Sequence, residues 1–321
     1  MKLKTLFVAL VLGTALPVAA QESNPPPPPE LVELVETRFN PPIGTVQRFR
    51  IKVTKRGQTH SWIEEMRFER DGDGYLAHWR MDPASFSAEM RHPELAPSFR
   101  PFTGVPVTLE LDAEGSPVRV RDWEPLKARM LESAKAIGPL MMTATAGRPK
   151  PDPAAERKIM EGVNTMFGQL SAETAPDVVI KYLSPALGWG GHARIVGEAV
   201  EGVEQADAAL FGTSVERKIE LTLTEASAET ARFVITATID GAALKDMMTK
   251  VAAMFENPDP AIRERARQSL AKLEQLTVVQ TTTVLLDRAT SLPLRLNQNV
   301  ASEGKTADTL SIEWLRTERV S

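Results

Sequence analysis

The chain contains no cysteine. That removes disulfides, thiolate metal sites, a thiol nucleophile and a lipid anchor on a processed cysteine. Histidine is nearly as scarce. His60, His78, His92 and His192 are the only four, and none stands in a His-x-x-x-His or His-Glu-x-x-His spacing, so no zinc motif is present. A Gly-x-Ser-x-Gly elbow and a P-loop lysine are also missing. Gly188-Trp189-Gly190-Gly191 has glycines but lacks the Lys-Ser/Thr pair that would hold a phosphate. Asp71-x-Asp73-Gly74 begins like a calcium loop and lacks its closing glutamate; a tight hairpin turn accounts for it. The formal net charge of −4 offers no general field for nucleic acid. Together these absences lead to the expectation of a non-enzymatic protein without metal or cofactor.

Long apolar runs are absent too. The one candidate is Leu6–Leu12, behind Lys2 and Lys4, and it is interrupted by Gly13, Thr14 and Pro17. A membrane span needs about 20 apolar residues, so residues 1–20 read as a signal peptide with Val18-Ala19-Ala20 as its cleavage site. Export without disulfides or a lipid anchor points to a bacterial periplasm, and to a protein that is not integral to the membrane. Residues 21–42 read as a proline-rich linker, stiffened by five consecutive prolines from Pro25 to Pro29. Leu31, Leu34, Val35 and Phe39 within it suit either a short docking helix or the last of the linker.

What is abundant is period-two alternation. Phe49, Ile51 and Val53 alternate with Arg48, Arg50 and Lys52; Trp62, Glu64, Met66 and Phe68 share one face of the next strand. Such patterns mark half-buried strands. Strands are expected in 45–123, helices in 124–176, strands and helices again in 213–275, and a final meander in 276–316. Pro83–Pro101 reads as a loop, and 177–212 carries no clear period. Segregated runs of strands and helices predict one α+β domain over 43–321, built on a large curved antiparallel sheet with helices on its apolar face.

Two sets of residues stand out as candidate sites. Trp62, Met66, Phe68 and Trp79, with Met247 and Met248 on a helical stripe, combine aromatic surface with adaptable methionine and suit an apolar ligand held between the sheet and helices 241–273. Arg48, Arg50, Arg119 and Arg121 lie on the outward strand face, where they suit an acidic envelope partner or simply pair across strands with acids such as Glu65 and Glu69.

The late turn Asp287-x-x-Thr290-x-Leu292-Pro293, and Trp62 on an early strand, resemble features of the periplasmic half-barrel proteins typified by the LolA/LolB lipoprotein carriers. The resemblance extends to uncharacterised periplasmic proteins of similar length. It implies a half-barrel sheet and an apolar or lipid-like cargo; the alternative expectation is an interaction module using the basic strand face or a sheet edge.

Overall fold

The computed structural model describes residues 34–316 except 56, 94–95, 144–152, 209–212, 255–259 and 303–304. Residues 1–20, read above as a signal peptide, and the prolines at 25–29 lie outside the described residues, as do Asp152 and Asp259, which the sequence places at helix starts, and Gly304, which it places in a turn.

After β1 (Leu34–Glu36), the chain runs through β2 (Val46–Lys55), β3 (Gln58–Asp71) and β4 (Gly74–Asp82). Helix α1 (Ala96–Thr103) precedes β5 (Val107–Leu111) and β6 (Pro117–Val120). Three helices follow: α2 (Trp123–Thr143), α3 (Pro153–Gln169) and the single turn α4 (Pro176–Val179). Next come β7 (Ala193–Ile195), β8 (Ala199–Ala208), β9 (Thr213–Ala226) and β10 (Thr230–Asp240). Helices α5 (Gly241–Met254) and α6 (Pro260–Leu273) lead into β11 (Thr277–Asp287), β12 (Pro293–Ser302) and β13 (Lys305–Trp314).

Eleven of these strands form one antiparallel sheet in the order β6-β5-β4-β3-β2-β13-β12-β11-β10-β9-β8. The sheet is open, as in a half-barrel, and completes the expected α+β architecture. It consists of two meanders. One runs outward from β2 to the edge at β6; the other starts at the opposite edge, β8, and runs inward to β13. They join where β13 pairs with β2, setting Phe49 opposite Trp314, Ile51 opposite Ile312 and Val53 opposite Leu310.

Alternation decides which face is dry. In β2, Phe49, Ile51 and Val53 are buried while Arg48, Arg50 and Lys52 are exposed, because successive side chains leave a strand on opposite sides. The inner faces of β3, β4 and β5 add Met66, Phe68, Tyr75, Ala77 and Leu109 to the same core. Its cover comes from the start of α2 (Trp123, Leu126, Met130) and from segment 170–189, including Ile180, Leu183 and Trp189. The cover is tied down by backbone as well. Val120 N–H donates to the Ala172 carbonyl at 2.8 Å, and the Trp123 indole donates to the Leu170 carbonyl at 3.2 Å.

The structure departs from the sequence expectations in four places. Residues 34–36 form a strand rather than a helix or linker, because β1 finds a partner in β7 that sequence alone does not reveal. Val35 and Phe39 are buried there, the Phe39 ring meeting Tyr75 edge-on at 5.2 Å, so packed chain extends upstream of residue 43. The supposed loop 83–101 contains α1; Pro101 breaks its hydrogen-bond ladder, but Phe99 and Phe102 pack against the core and outweigh that loss. Strand β8 escaped the period-two test because it is an edge with exposed residues along both faces, among them Val200 and Val203. Finally, β6 stops at Val120, and Asp122 at φ 55° turns the chain so that Trp123 opens α2 instead of ending a strand.

The glycines at 188–191 have a packing role. A Cβ on Gly190 would sit 2.7 Å from the Glu114 carbonyl oxygen and 2.8 Å from Phe39 N. Gly190 N–H bonds the Glu114 carbonyl at 2.9 Å and Gly191 N–H bonds the Thr37 carbonyl at 2.8 Å. Backbone donors already paired in this way do not cradle an anion.

The β2–β13 seam yields a stability prediction. Ile312→Ala empties a fully buried position on the joining pair and is expected to cost about 2–5 kcal/mol. Val203→Ala, on the exposed edge, is expected to stay within about 0.5 kcal/mol of the parent. Equilibrium urea unfolding of both variants reads the difference; equal losses would show that the seam carries no special weight.

Candidate functional site: an apolar pocket around a buried glutamate

The inner face of β3 carries Trp62, Glu64, Met66 and Phe68 in alternate positions, and all four are buried. Glu64 is thus an acid on the dry side of the sheet, 2 % exposed. Its carboxyl is held by two indoles. Trp62 Nε1 donates to Oε1 at 2.8 Å, and Trp79 Nε1 donates to Oε2 at 2.8 Å. Register explains the second bond. Glu64 stands opposite Met81 on β4, and Trp79, two residues along, is its diagonal neighbour on the same face.

Burial pushes the Glu64 carboxyl up to about 7, with the hydrogen bonds from Trp62 and Trp79 opposing the rise. Desolvation wins because two neutral donors replace far more water than they can mimic.

These three residues form the sheet side of a cavity of about 310 Å³. Val53 and Met81 extend that side; Phe99 and Phe102 of α1, and Val178, Val179 and Tyr182 at the end of α4, close the other. Aromatic contacts fix the walls: Trp79 meets Phe102 at 5.6 Å, and Trp62 meets Tyr182 edge-on at 5.2 Å. Lys55, His60 and Lys181 supply the remaining polar lining. The volume lies at the low end of small-molecule sites, which run from about 300 to 1,000 Å³.

The sequence candidates separate on this geometry. Trp62 and Trp79 line the pocket. Met66 and Phe68 are wholly buried core residues that do not line it. Met247 and Met248 lie on α5, which packs on β9 and β10, and neither residue lines this cavity. This cavity therefore lies beneath α1 and α4. On the other half of the sheet a second groove of about 390 Å³ runs between segment 184–192 and strands β8–β12, again without a residue of α5 or α6.

The four outward arginines are paired across strands. Arg48 reaches Asp82 at 3.0 Å and Glu65 at 3.4 Å, and Arg50 reaches Glu313 at 2.9 Å. Arg119 and Arg121 share Glu110 at 2.7 and 3.0 Å, and Arg121 also meets Asp71. Each therefore has an acidic neighbour on the sheet itself, which is the cross-strand reading of that face.

Glu64, Phe99, Phe102, Lys181 and Tyr182 were not singled out by the sequence. Glu64 carried a usable signal, a carboxylate placed in register between Trp62 and Met66. The others sat in a proline-punctuated stretch and in a segment without a period. Among the described residues no group of three or more His, Asp or Glu could hold a metal ion, and no helix is long and apolar enough to cross a membrane. No family model matches the chain, nor does any curated protein or solved structure.

Glu64 also sets a pH dependence. Its folded pKa of about 7 lies above the ordinary carboxylate value of 4.5, so the folded state holds the proton more tightly. Its stabilising contribution is full below about pH 4.5 and is lost as pH rises through about 7, a swing of about 3 kcal/mol. The stability difference between the parent and Glu64→Gln, followed by urea unfolding from pH 4.5 to 8, should fall by that amount across the window. A flat difference would mean that Glu64 titrates normally.

Proposed function

We propose that this chain is an exported, periplasmic, non-enzymatic binding protein that carries a small apolar or lipid-like ligand in the pocket between β2–β4 and the α1/α4 cover. One observation carries this reading: the pocket is walled by Trp62, Trp79, Phe99, Phe102 and Tyr182, and both oxygens of its buried acid are engaged by indoles. A general acid or base requires a free oxygen positioned at a substrate proton; Glu64 instead orients two large apolar rings. Aromatic walls offer wide contact area at low conformational cost, which suits an apolar guest.

The interaction-module reading keeps less support. The basic face is neutralised by its own acids, and what remains for a partner is the edge at β8, with Val196, Val200 and Val203 exposed.

Native mass spectrometry of the protein recovered from its own periplasm, with solvent extraction, should show processing after Ala20 and a bound apolar adduct. In vitro, the neutral probe N-phenyl-1-naphthylamine should bind the purified chain. Ser98→Trp places a large ring in the α1 wall and should weaken that binding at least tenfold, whereas Ile235→Trp in the other groove should leave it unchanged. Equal effects of the two variants, or a bare mass and no probe binding, would remove the carrier reading.

A further inference from the structure

Six arginines on this half of the sheet, Arg48, Arg50, Arg67, Arg80, Arg119 and Arg121, form ion pairs with acids. The two lysines of the pocket differ. Lys55 closes β2 and Lys181 follows α4, and among the described residues neither has a carboxylate within ion-pair distance. Both ammonium groups instead sit against one ring, Lys55 Nζ 5.8 Å and Lys181 Nζ 5.9 Å from the centroid of Tyr182, itself a pocket wall. Two like charges converge there, with no ion-paired acid among the described residues. Desolvation, and then repulsion from Lys55, hold the Lys181 ammonium below the usual lysine range.

A third lining residue is also incomplete. The Nδ1 atom of His60 is buried and makes no hydrogen bond. An orphaned buried nitrogen carries a desolvation cost that a ligand atom can recover. Of the acids on this side, Glu64 has both oxygens taken by the indoles, and the Glu89 carboxyl is lowered mainly by its hydrogen bonds and in small part by the charge of His60.

Resting on the binding reading above, we propose that the ligand is an anionic amphiphile: its apolar part fills the pocket, and its carboxylate or phosphate head group lies between the Lys55 and Lys181 ammonium groups, with His60 as an additional donor. Lysine stems suit this arrangement because their methylenes extend the apolar lining while the charged heads stay at its wet end. An anion there supplies the missing counterion to both lysines, and charge-assisted hydrogen bonds are the stronger kind. An amine head group would meet two positive charges and a carboxyl already engaged by both tryptophans.

A matched series of ten-carbon probes tests the inference: decanoate, decyl phosphate, decanol and decylamine, titrated into the purified chain at low ionic strength and read by calorimetry and tryptophan fluorescence. Decanoate and decyl phosphate are expected to bind about tenfold tighter than decanol, and that margin should shrink with added salt. Whichever of the two anions binds tighter identifies the head-group chemistry. In the Lys55→Met, Lys181→Met double variant the margin should fall to about twofold while decanol affinity holds. Should the double variant also lose decanol binding, the single variants carry the test, each losing about threefold for the anions only. Decanol equal to decanoate, or decylamine the tightest, overturns the anionic head group but leaves the apolar pocket standing. Inorganic phosphate binding as tightly as decyl phosphate also overturns it, since the anion would then need no apolar part. Failure of every ten-carbon probe removes the carrier reading itself.

Discussion

The pairing of β2 with β13 is the constraint on which the sheet depends. Two meanders, each pairing strands consecutive in sequence and mostly through hairpins, meet only there, and the meeting joins residues far apart in sequence: the Arg50–Glu313 ion pair spans 263 positions. Every other neighbouring pair in the large sheet is a consecutive one. Hairpins form from nearby chain at small entropic cost, whereas a pairing of such separation carries the loop-closure penalty of the whole domain. What repays that penalty is burial. Phe49, Ile51, Val53 and Ile312 lie on the dry side of the seam, with the Trp314 ring stacked on Phe49 at 6.4 Å. Because β3 and β4 hang on β2, the pocket inherits its position from this seam.

The same register produces the site. Side chains two apart on a strand share a face, and antiparallel neighbours add diagonal contacts. Trp62 and Glu64 are two apart on β3, and Trp79 is diagonal to Glu64 on β4. No loop or helix end is needed to assemble the triad, because all three residues lie on paired strands. The covering wall is of another kind: one short proline-containing helix, a single helical turn, and the coil around Tyr182.

This division also explains what was legible in the sequence. The core of β2, the β3 face, and the meander from β11 to β13 show clean alternation because one face is dry, and the observed strands fall where the pattern places them. Trp62 and Trp79 were legible as aromatic surface for the same reason. The edge strand β8 and the ribbon of β1 with β7 were not: a strand exposed on both faces has no stripe, and a three-residue strand has no period. The wall made by Phe99, Phe102 and Tyr182 depends on where irregular chain returns to the sheet, which periodicity does not encode. Met247 and Met248 illustrate the converse. An apolar helical stripe shows that a helix packs, but not on which part of an eleven-stranded sheet.

Glu64 is the remaining question, because a pocket lined only by apolar residues would be simpler to build. A buried acid without water is destabilising, and so is a buried indole N–H without an acceptor. Here the three defects cancel one another: one carboxyl satisfies two indoles, and two indoles partly compensate one carboxyl. Replacing all three by apolar residues of similar shape would leave the fold about as stable, as it often does for buried polar groups. What the trio supplies beyond an apolar substitute is direction. Each ring is tethered at its nitrogen, which restricts how it sits in the cavity wall. In the proposed binding protein such preorganisation would lower the entropic cost of taking up a guest, and it gives a physical reason for an acid at the centre of a dry face.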